Sequence, residues 1–248
     1  MVGALLVSCT FAPAPAPALT ATTPTPVPAP APAAAPVVVL DPGHNGRNNT
    51  AHTAVNRQVP DGRGGTKACN TTGTETDAGY PEHAFNWDVA KRVEAKLTAA
   101  GVRVVLTRPD DDGVGPCVDE RATAAINAGA AAILSIHGDG SAAANHGFHV
   151  AFSDPPLNPA QEGPAHTLAT ALRDTMREGG FGVSDYAGRD GLSGRSDLAG
   201  LNLATRPAAL VECANMRNPA EAALVSSPEG RERYATALAA GVLRFLGR

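Results

Sequence analysis

Three short apolar runs in the sequence each end at a residue that can bind a metal or carry a proton. They are residues 37–40 before His44, residues 132–136 before His137, and residues 208–211 before Glu212. Runs of β-favouring residues bounded by turn-forming residues predict strands. Pro42 and Gly43 stop the first run, so His44 is expected in a loop just past the carboxyl end of a strand.

Helical patterns separate these runs. Phe85, Val89, Val93 and Leu97 repeat every four residues and predict a helix over residues 82–100, which Gly101 ends. Further helices are expected over 119–128, around 168–176 and at the carboxyl terminus, and further strands over 102–107 and 147–152. Strands that alternate with helices predict a three-layer α/β/α sandwich with a mostly parallel central sheet.

The chain divides into a short amino-terminal segment and one folded domain. Of its 248 residues, 43% are hydrophobic, enough for one domain with its own core. Nine of the 21 prolines lie within residues 11–36, and a segment of that composition cannot form a core. We therefore expect an export segment and disordered linker over residues 1–36, and a monomeric domain over 37–248. The net charge of -4 argues against a nucleic-acid partner.

The first nine residues, MVGALLVSC, are apolar but too few to cross a membrane. They also lack the basic residues that begin a signal peptide. Leu6-Val7-Ser8-Cys9 resembles a bacterial lipobox, which predicts acylation of Cys9 and a membrane tether. A disordered start is the alternative. We expect export to the periplasm, cell wall or medium.

Cysteine positions predict one disulfide. Cys69 and Cys117 lie in polar loops, where exposed free thiols are a liability outside the cell, so we expect them to pair. The bridge spans 117 − 69 = 48 positions, and on the loop-entropy model it stabilises the fold by about 3–4 kcal/mol. Cys213 follows an apolar run and is expected to be a buried thiol. The sequence contains no C-x-x-C pair, so a structural zinc site is not expected.

The three strand ends predict a metal site. Parallel strands bring their carboxyl ends to one rim, where His44, His137 and Glu212 would converge. Imidazole and carboxylate ligands suit zinc in an open hydrolytic site, and the attacking water then needs a carboxylate base. Glu82, in the first turn of a helix, is a second candidate carboxylate. Spacing does not decide which carboxylate binds the metal, and ordinary strand-capping histidines remain the alternative.

Four segments carry a family resemblance: LDPGHNG, GYPEHAFNW, ERATAAINAGAAAILSIHGDG and LVECANMRNP. In this order they resemble the successive motifs of zinc-dependent N-acetylmuramoyl-L-alanine amidases of the amidase-3 type. The similarity covers residues 37–248. RQVPDGRGGTKAC, GPCVDERA and DGLSGRSDLAGLNLA are similar to a secreted, mycobacterial-type branch of actinobacterial enzymes that lacks a separate wall-binding domain.

The resemblance implies roles for the four candidate residues. His44, Glu82 and His137 match the family's zinc ligands, and Glu212 matches its catalytic glutamate. The implied reaction is cleavage of the peptidoglycan amide between N-acetylmuramic acid and the L-alanine of the stem peptide. The sequence departs from the family at Gly138-Asp139, where Ala-Asn or Ala-Asp is usual, and at Cys213. These departures put the rate and loop stiffness in question, but they remove no ligand.

Other residues are weaker candidates. His149 could line the groove, and Asn202 and Arg206 could contact the substrate's carboxylates or sugar. Asp61-Gly62 predicts a hairpin turn beside the site. The remaining histidines are expected to be solvated or turned away from the metal: His52, His83, His146 and His166.

Two other functions remain open at this stage. A zinc peptidase that cuts within the stem peptide would use the same metal chemistry. A non-catalytic wall-binding or regulatory protein would use the same fold, but it should have lost a ligand or the base.

Overall fold

The computed structural model describes residues 1–14 and 34–248. Residues 35–248 form one compact unit, and residues 1–14 have no regular secondary structure. Most of the proline-rich linker expected from the sequence falls at 15–33, outside the described residues. In the part of the chain that is described, no helix combines the length and apolar character needed to span a membrane.

The unit contains eight strands and eight helices among the described residues. The strands are β1 (Val37–Pro42), β2 (Gln58–Pro60), β3 (Thr66–Ala68), β4 (Arg103–Leu106), β5 (Ala132–Asp139), β6 (His149–Ser153), β7 (Leu192–Arg195) and β8 (Ala208–Asn215). The helices are α1 (His52–Val55), α2 (Glu82–Ala99), α3 (Val118–Asn127), α4 (Pro159–Glu162), α5 (Pro164–Glu178), α6 (Ala199–Asn202), α7 (Pro219–Ser226) and α8 (Pro228–Phe245).

Six of the strands form one sheet in the order β4-β1-β5-β8-β6-β7. β4, β1, β5 and β8 are parallel, β6 runs antiparallel to β8, and β7 is parallel to β6. The mostly parallel three-layer α/β fold expected from the sequence is therefore confirmed. Because β6 is reversed, its first residues lie beside the last residues of β8.

The two faces of the sheet bury different amounts of apolar surface. One face carries the larger cluster, in which residues such as Phe85 of α2 and Leu134 of β5 pack together with α5 and α8. The other face carries a smaller cluster, in which Ile133 and Leu210 pack with Leu201 of α6. Both faces of the central strands are covered, as the unbroken apolar runs of β5 and β8 require.

The two candidate residues on central strands, His137 and Glu212, lie on the face with the smaller cluster. His137 follows Ile133 by four residues along β5, and Glu212 follows Leu210 by two residues along β8. Even spacing along a strand keeps side chains on one face. The sheet therefore projects these groups toward α3, α6 and the β2–β3 hairpin, away from the larger cluster.

Two strands extend beyond their predicted ends. β5 continues through His137 to Asp139, and β8 continues through Glu212 to Asn215. His137 and Glu212 are directly paired in the sheet. Both residues keep their main-chain hydrogen bonds to the neighbouring strand, because a polar side chain at the edge of the sheet does not disturb these bonds. β7 and the short helices α1, α4, α6 and α7 were not predicted, since they are too short to show a period.

A disulfide joins Cys69 and Cys117, as the sequence predicts, with their Cα atoms 4.5 Å apart. It connects the segment after β3 to the start of α3, and both cysteines form a small buried cluster with Val59. The predicted hairpin is also present as β2 and β3. Its turn is closed by Asp61, whose Oδ1 accepts hydrogen bonds from two backbone N–H groups. Cys213 is buried, as expected.

We expect non-reducing peptide mapping to recover Cys69 and Cys117 in one linked peptide pair. Reduction of this bond should lower the free energy of unfolding by about 3–4 kcal/mol, because the unfolded chain gains loop entropy. Denaturant unfolding of oxidised and reduced protein measures this difference. Cys213 is the internal control and should remain a free thiol in both states. Recovery of both loop cysteines as free thiols from protein exported by an actinobacterial host would contradict the assignment.

Candidate active site

The centre of the site is the carboxylate of Glu82, the first residue of α2. Its Oε1 lies 3.1 Å from His44 Nε2 and 2.9 Å from His137 Nδ1. One ligand atom from each of the three residues lies within 4.8 Å of the others. The loop after β1, the start of α2 and the end of β5 thus bring two imidazoles and a carboxylate to one point on the rim.

His44 has a backbone conformation that is uncommon for residues other than glycine. Its φ is 58°, in the left-handed region. Two buried arginines bind the carbonyls of Pro42 and His44. Arg108 Nε and Arg121 Nη1 donate to Pro42 O at 3.0 and 2.8 Å, and Arg121 Nη2 donates to His44 O at 3.0 Å. These charge-assisted hydrogen bonds offset the backbone strain and direct the His44 side chain toward Glu82.

Two glycines leave room for the site. A Cβ at Gly43 would overlap the His137 imidazole. At Gly73, φ is +80°, and a Cβ would lie 2.7 Å from Glu82 Oε2 and 2.9 Å from the His44 ring. Gly43 is required because no side chain fits beside His137. Gly73 is required for the same reason of space and also because of its positive φ.

Outer hydrogen bonds orient two of the three candidate ligands, His44 and Glu82. His44 Nδ1 lies 3.0 Å from Thr71 O, so Nδ1 carries the proton and donates, and Nε2 is free to bind a cation. Glu82 Oε2 accepts from Thr74 N at 2.9 Å. Gly138 N donates to Glu82 Oε1 at 3.2 Å.

The electrostatics of the site favour a bound cation. Burial opposes ionisation of Glu82, but His44 and His137 lower its pKa below the ordinary value, so the carboxylate is charged. In turn, Glu82 raises the pKa of His44 against the effect of burial. Two nitrogen donors and one carboxylate that keep a fourth position open match the donor set of hydrolytic zinc sites. The three residues therefore fit zinc.

Glu212 lies beside this group and takes no part in it. It is paired in the sheet with His137 on one side and His149 on the other. Its Oε2 is buried and has no hydrogen-bond partner. Burial raises the pKa of Glu212 well above its ordinary value, and Glu82 and Asp139 raise it further. A carboxylate with a raised pKa and a free oxygen is suited to accept a proton.

A cavity of about 460 Å³ begins at the four candidate residues and continues over the sheet. The sheet contributes Asp41, Ser135 and Leu210, and Lys67 of β3 and Leu198 contribute further lining. This volume lies in the range of small-molecule sites. Burial opposes ionisation of Asp41, but the Arg121 guanidinium and hydrogen bonds lower the pKa of Asp41 to about 2, so an ion pair lies at one wall.

Asn202 lies under the hairpin, with all its hydrogen-bonding capacity in use. Its Oδ1 accepts from Arg63 Nε at 3.2 Å and from Ser153 Oγ at 2.9 Å. Its Nδ2 donates to the carbonyls of Asp61 and Ser196 at 2.9 and 2.8 Å. Asn202 therefore fastens the hairpin turn to the sheet, and no donor or acceptor is left for a substrate.

The other weaker candidates also lie apart from the cavity. Arg206 is exposed before the first residue of β8, six residues from Glu212, or about 20 Å along an extended chain. It lies toward the opposite end of the sheet, because β8 carries the site at its carboxyl end. His149 is buried beside Glu212. His52 and His166 are exposed, His146 pairs with Asp185, and His83 pairs with Asp111.

Sequence reasoning missed three residues that shape the site. Arg108 and Arg121 are buried, and Tyr186 donates its hydroxyl to Asp139 Oδ2 at 3.0 Å. Arg121 had a usable signal, since it lies among the small apolar residues of a predicted helix, where an unpaired arginine would be costly. Arg108 and Tyr186 lie in loops, where no periodic pattern marks them.

The family model for N-acetylmuramoyl-L-alanine amidase, Amidase_3, matches residues 38–244. The chain belongs to this family. It is 53% identical over 210 residues to the N-acetylmuramoyl-L-alanine amidase Rv3717 of Mycobacterium tuberculosis, an alignment that covers 85% of this chain and 86% of the relative. The resemblance stated from the sequence motifs is therefore confirmed.

Solved amidase structures share the fold. The crystal structure of Ami1 from Mycobacterium smegmatis matches with a TM-score of 0.84 and 53% identity, over 86% of this chain and 98% of that one. The apo form of Ami1 from Mycobacterium abscessus matches with a TM-score of 0.83 and 49% identity, over 86% and 99%. As a member of the amidase family, the chain is an enzyme, a peptidoglycan hydrolase whose relatives typically use zinc.

Proposed function

We propose that this amidase hydrolyses the amide between N-acetylmuramic acid and the L-alanine of the stem peptide, with one zinc ion held by His44, Glu82 and His137. One observation supports this most strongly. Within an Amidase_3 domain, a carboxylate oxygen lies within about 3 Å of two imidazole nitrogens, while a separate carboxylate lies beside them. That set provides both metal ligands and a base.

Different residues of the chain bind the metal and transfer the proton. When bound, zinc lowers the pKa of a water molecule toward 7 and polarises the scissile carbonyl. Glu212 takes a proton from the attacking water and delivers it to the leaving nitrogen of L-alanine. The partly enclosed cavity limits competing solvent and strengthens these electrostatic interactions.

We also propose that the enzyme acts outside the cytoplasm, since peptidoglycan lies there. The disulfide between Cys69 and Cys117 supports an oxidising compartment. Cys9 is exposed and unpaired, which suits acylation at the lipobox-like stretch. On this proposal, cleavage before Cys9 leaves residues 9–36 to tether a monomeric catalytic domain, residues 37–248, to the membrane.

Incubation of the full chain and zinc with defined muropeptides tests the reaction. We expect mass spectrometry to find two products, a glycan that ends in a free lactyl carboxylate and an intact stem peptide that begins with L-alanine. Glu212→Gln is the matched control and should form both products about 10²–10⁴ times more slowly. Fragments cut within the stem peptide would indicate a peptidase. Zinc-loaded protein that binds muropeptides without cutting them would indicate a wall-binding protein.

A further inference from the structure

Two buried polar atoms without partners lie on directly opposed side chains of neighbouring strands. His149 of β6 is paired with Glu212 of β8 in antiparallel register. Neither His149 Nδ1 nor Glu212 Oε2 has a hydrogen-bond partner. An unpaired buried polar atom is costly, and nearly all such atoms in folded proteins find a partner.

The geometry places each of these groups within reach of the other. Opposed residues of an antiparallel pair have Cβ atoms about 4.5–5.5 Å apart and point to the same face. An imidazole and a glutamate on such positions can meet by rotation of their side chains alone. His149 is only 1% exposed, so bulk solvent does not replace the missing partner.

Tyr186 restricts His149 from another direction. The two rings are arranged edge to face, with centroids 6.1 Å apart. The Tyr186 hydroxyl is itself fixed, because it donates to Asp139 Oδ2 at 3.0 Å. The imidazole therefore has a fixed ring beside it and lies on the strand position opposite Glu212.

We propose that His149 is a positioning residue for Glu212: its Nδ1–H donates to Glu212 Oε2 and holds the carboxylate so that Oε1 faces the attacking water. This inference rests on the proposed role of Glu212 as the base. A base that is oriented before reaction avoids the cost of reorganisation in the transition state.

Several charged groups surround His149 and Glu212. Glu82 and Asp139 repel the Glu212 carboxylate, and Arg195 of β7 attracts it. The same Asp139 and Arg195 act on His149, which burial keeps neutral by lowering its pKa. A neutral imidazole has one N–H, and Nδ1 is the nitrogen that is fully buried without a hydrogen-bond partner. A hydrogen bond from His149 is directional, whereas the charges of Glu82, Asp139 and Arg195 do not by themselves fix the orientation of the Glu212 carboxylate.

Three substitutions at His149 test whether Nδ1 is the nitrogen that donates to Glu212. Asn places its amide nitrogen at the δ position, near where Nδ1 lies, whereas Gln places it one atom further, and Phe has the ring without nitrogen. We expect His149→Phe and His149→Gln to lower kcat about 10- to 100-fold, the usual range for a hydrogen bond to a charged group. His149→Asn should stay within about threefold of wild type. KM and zinc content should be unchanged in all three.

His166→Phe is the matched control, since His166 is an exposed histidine that also meets an aromatic ring edge to face, Phe152 at 5.1 Å. It should behave as wild type. In a Glu212→Gln background, His149→Phe should cause no further loss, because both changes remove one function.

Wild-type kcat in His149→Phe would overturn the inference, as would equal kcat in the Asn and Gln variants. If His149→Phe does not fold, the comparison of kcat between His149→Asn and His149→Gln still tests the inference. These outcomes differ from failure of the proposed function, in which the wild-type enzyme itself would leave muropeptides uncut with zinc bound.

Discussion

Glu212→Gln lowers the rate of muropeptide cleavage by about 10²–10⁴ and leaves zinc bound. This is the usual loss when a general base is removed. The amide keeps the shape of the side chain but cannot take a proton, and Glu212 lies beside the three metal-binding candidates without belonging to their group. Steady-state kinetics on a defined muropeptide, together with metal analysis of the same preparation, measure both parts of the result.

Glu82→Gln is the matched comparison, because it makes the same chemical change at a proposed ligand. It should weaken the binding of zinc, since a neutral amide is a poorer ligand than a carboxylate. The pH profile separates the two roles further. Activity requires ionised Glu212, so wild-type kcat/KM falls as the pH drops through its pKa, and Glu212→Gln loses this limb. Loss of zinc from Glu212→Gln, or near wild-type cleavage by it, contradicts the assignment.

His137→Ala loses both zinc and activity. Removal of an outer-shell partner of a ligand already costs about 10- to 100-fold in metal affinity, and removal of the ligand itself should cost more than about 100-fold. Competition with a chelator measures the affinity, and elemental analysis measures the zinc content per chain. His146→Ala is the control, since His146 is an exposed histidine paired with Asp185. Full zinc occupancy in His137→Ala would refute the site.

Local patterns predicted the elements that have a long, regular period. The four-residue repeat from Phe85 to Leu97 predicted a helix over residues 82–100, and α2 spans Glu82–Ala99. The ends of β5 and β8 were placed too early, at His137 and Glu212, because a polar residue looks like a strand end in the sequence. Whether the ladder continues depends on the neighbouring strand, which no local pattern reveals.

The convergence of strand-end residues at one rim followed from parallel strands alone. Which carboxylate meets both imidazoles did not, because this depends on where α2 begins relative to the sheet. The resemblance supplied that assignment, and Glu82 does lie against His44 and His137. His149 was expected to line the groove. Its burial beside Glu212 follows from the reversed direction of β6, and this direction is a property of the whole sheet.

The two faces of the sheet also bear on how this enzyme can change over evolution. Most of the buried apolar contacts lie on the face packed by α2, α5 and α8, while His137 and Glu212 project from the other. Substitutions along the cavity wall, such as at Lys67 or Leu198, therefore leave the larger cluster untouched. New substrate preferences can accumulate on one face while the other retains the stability that tolerates them.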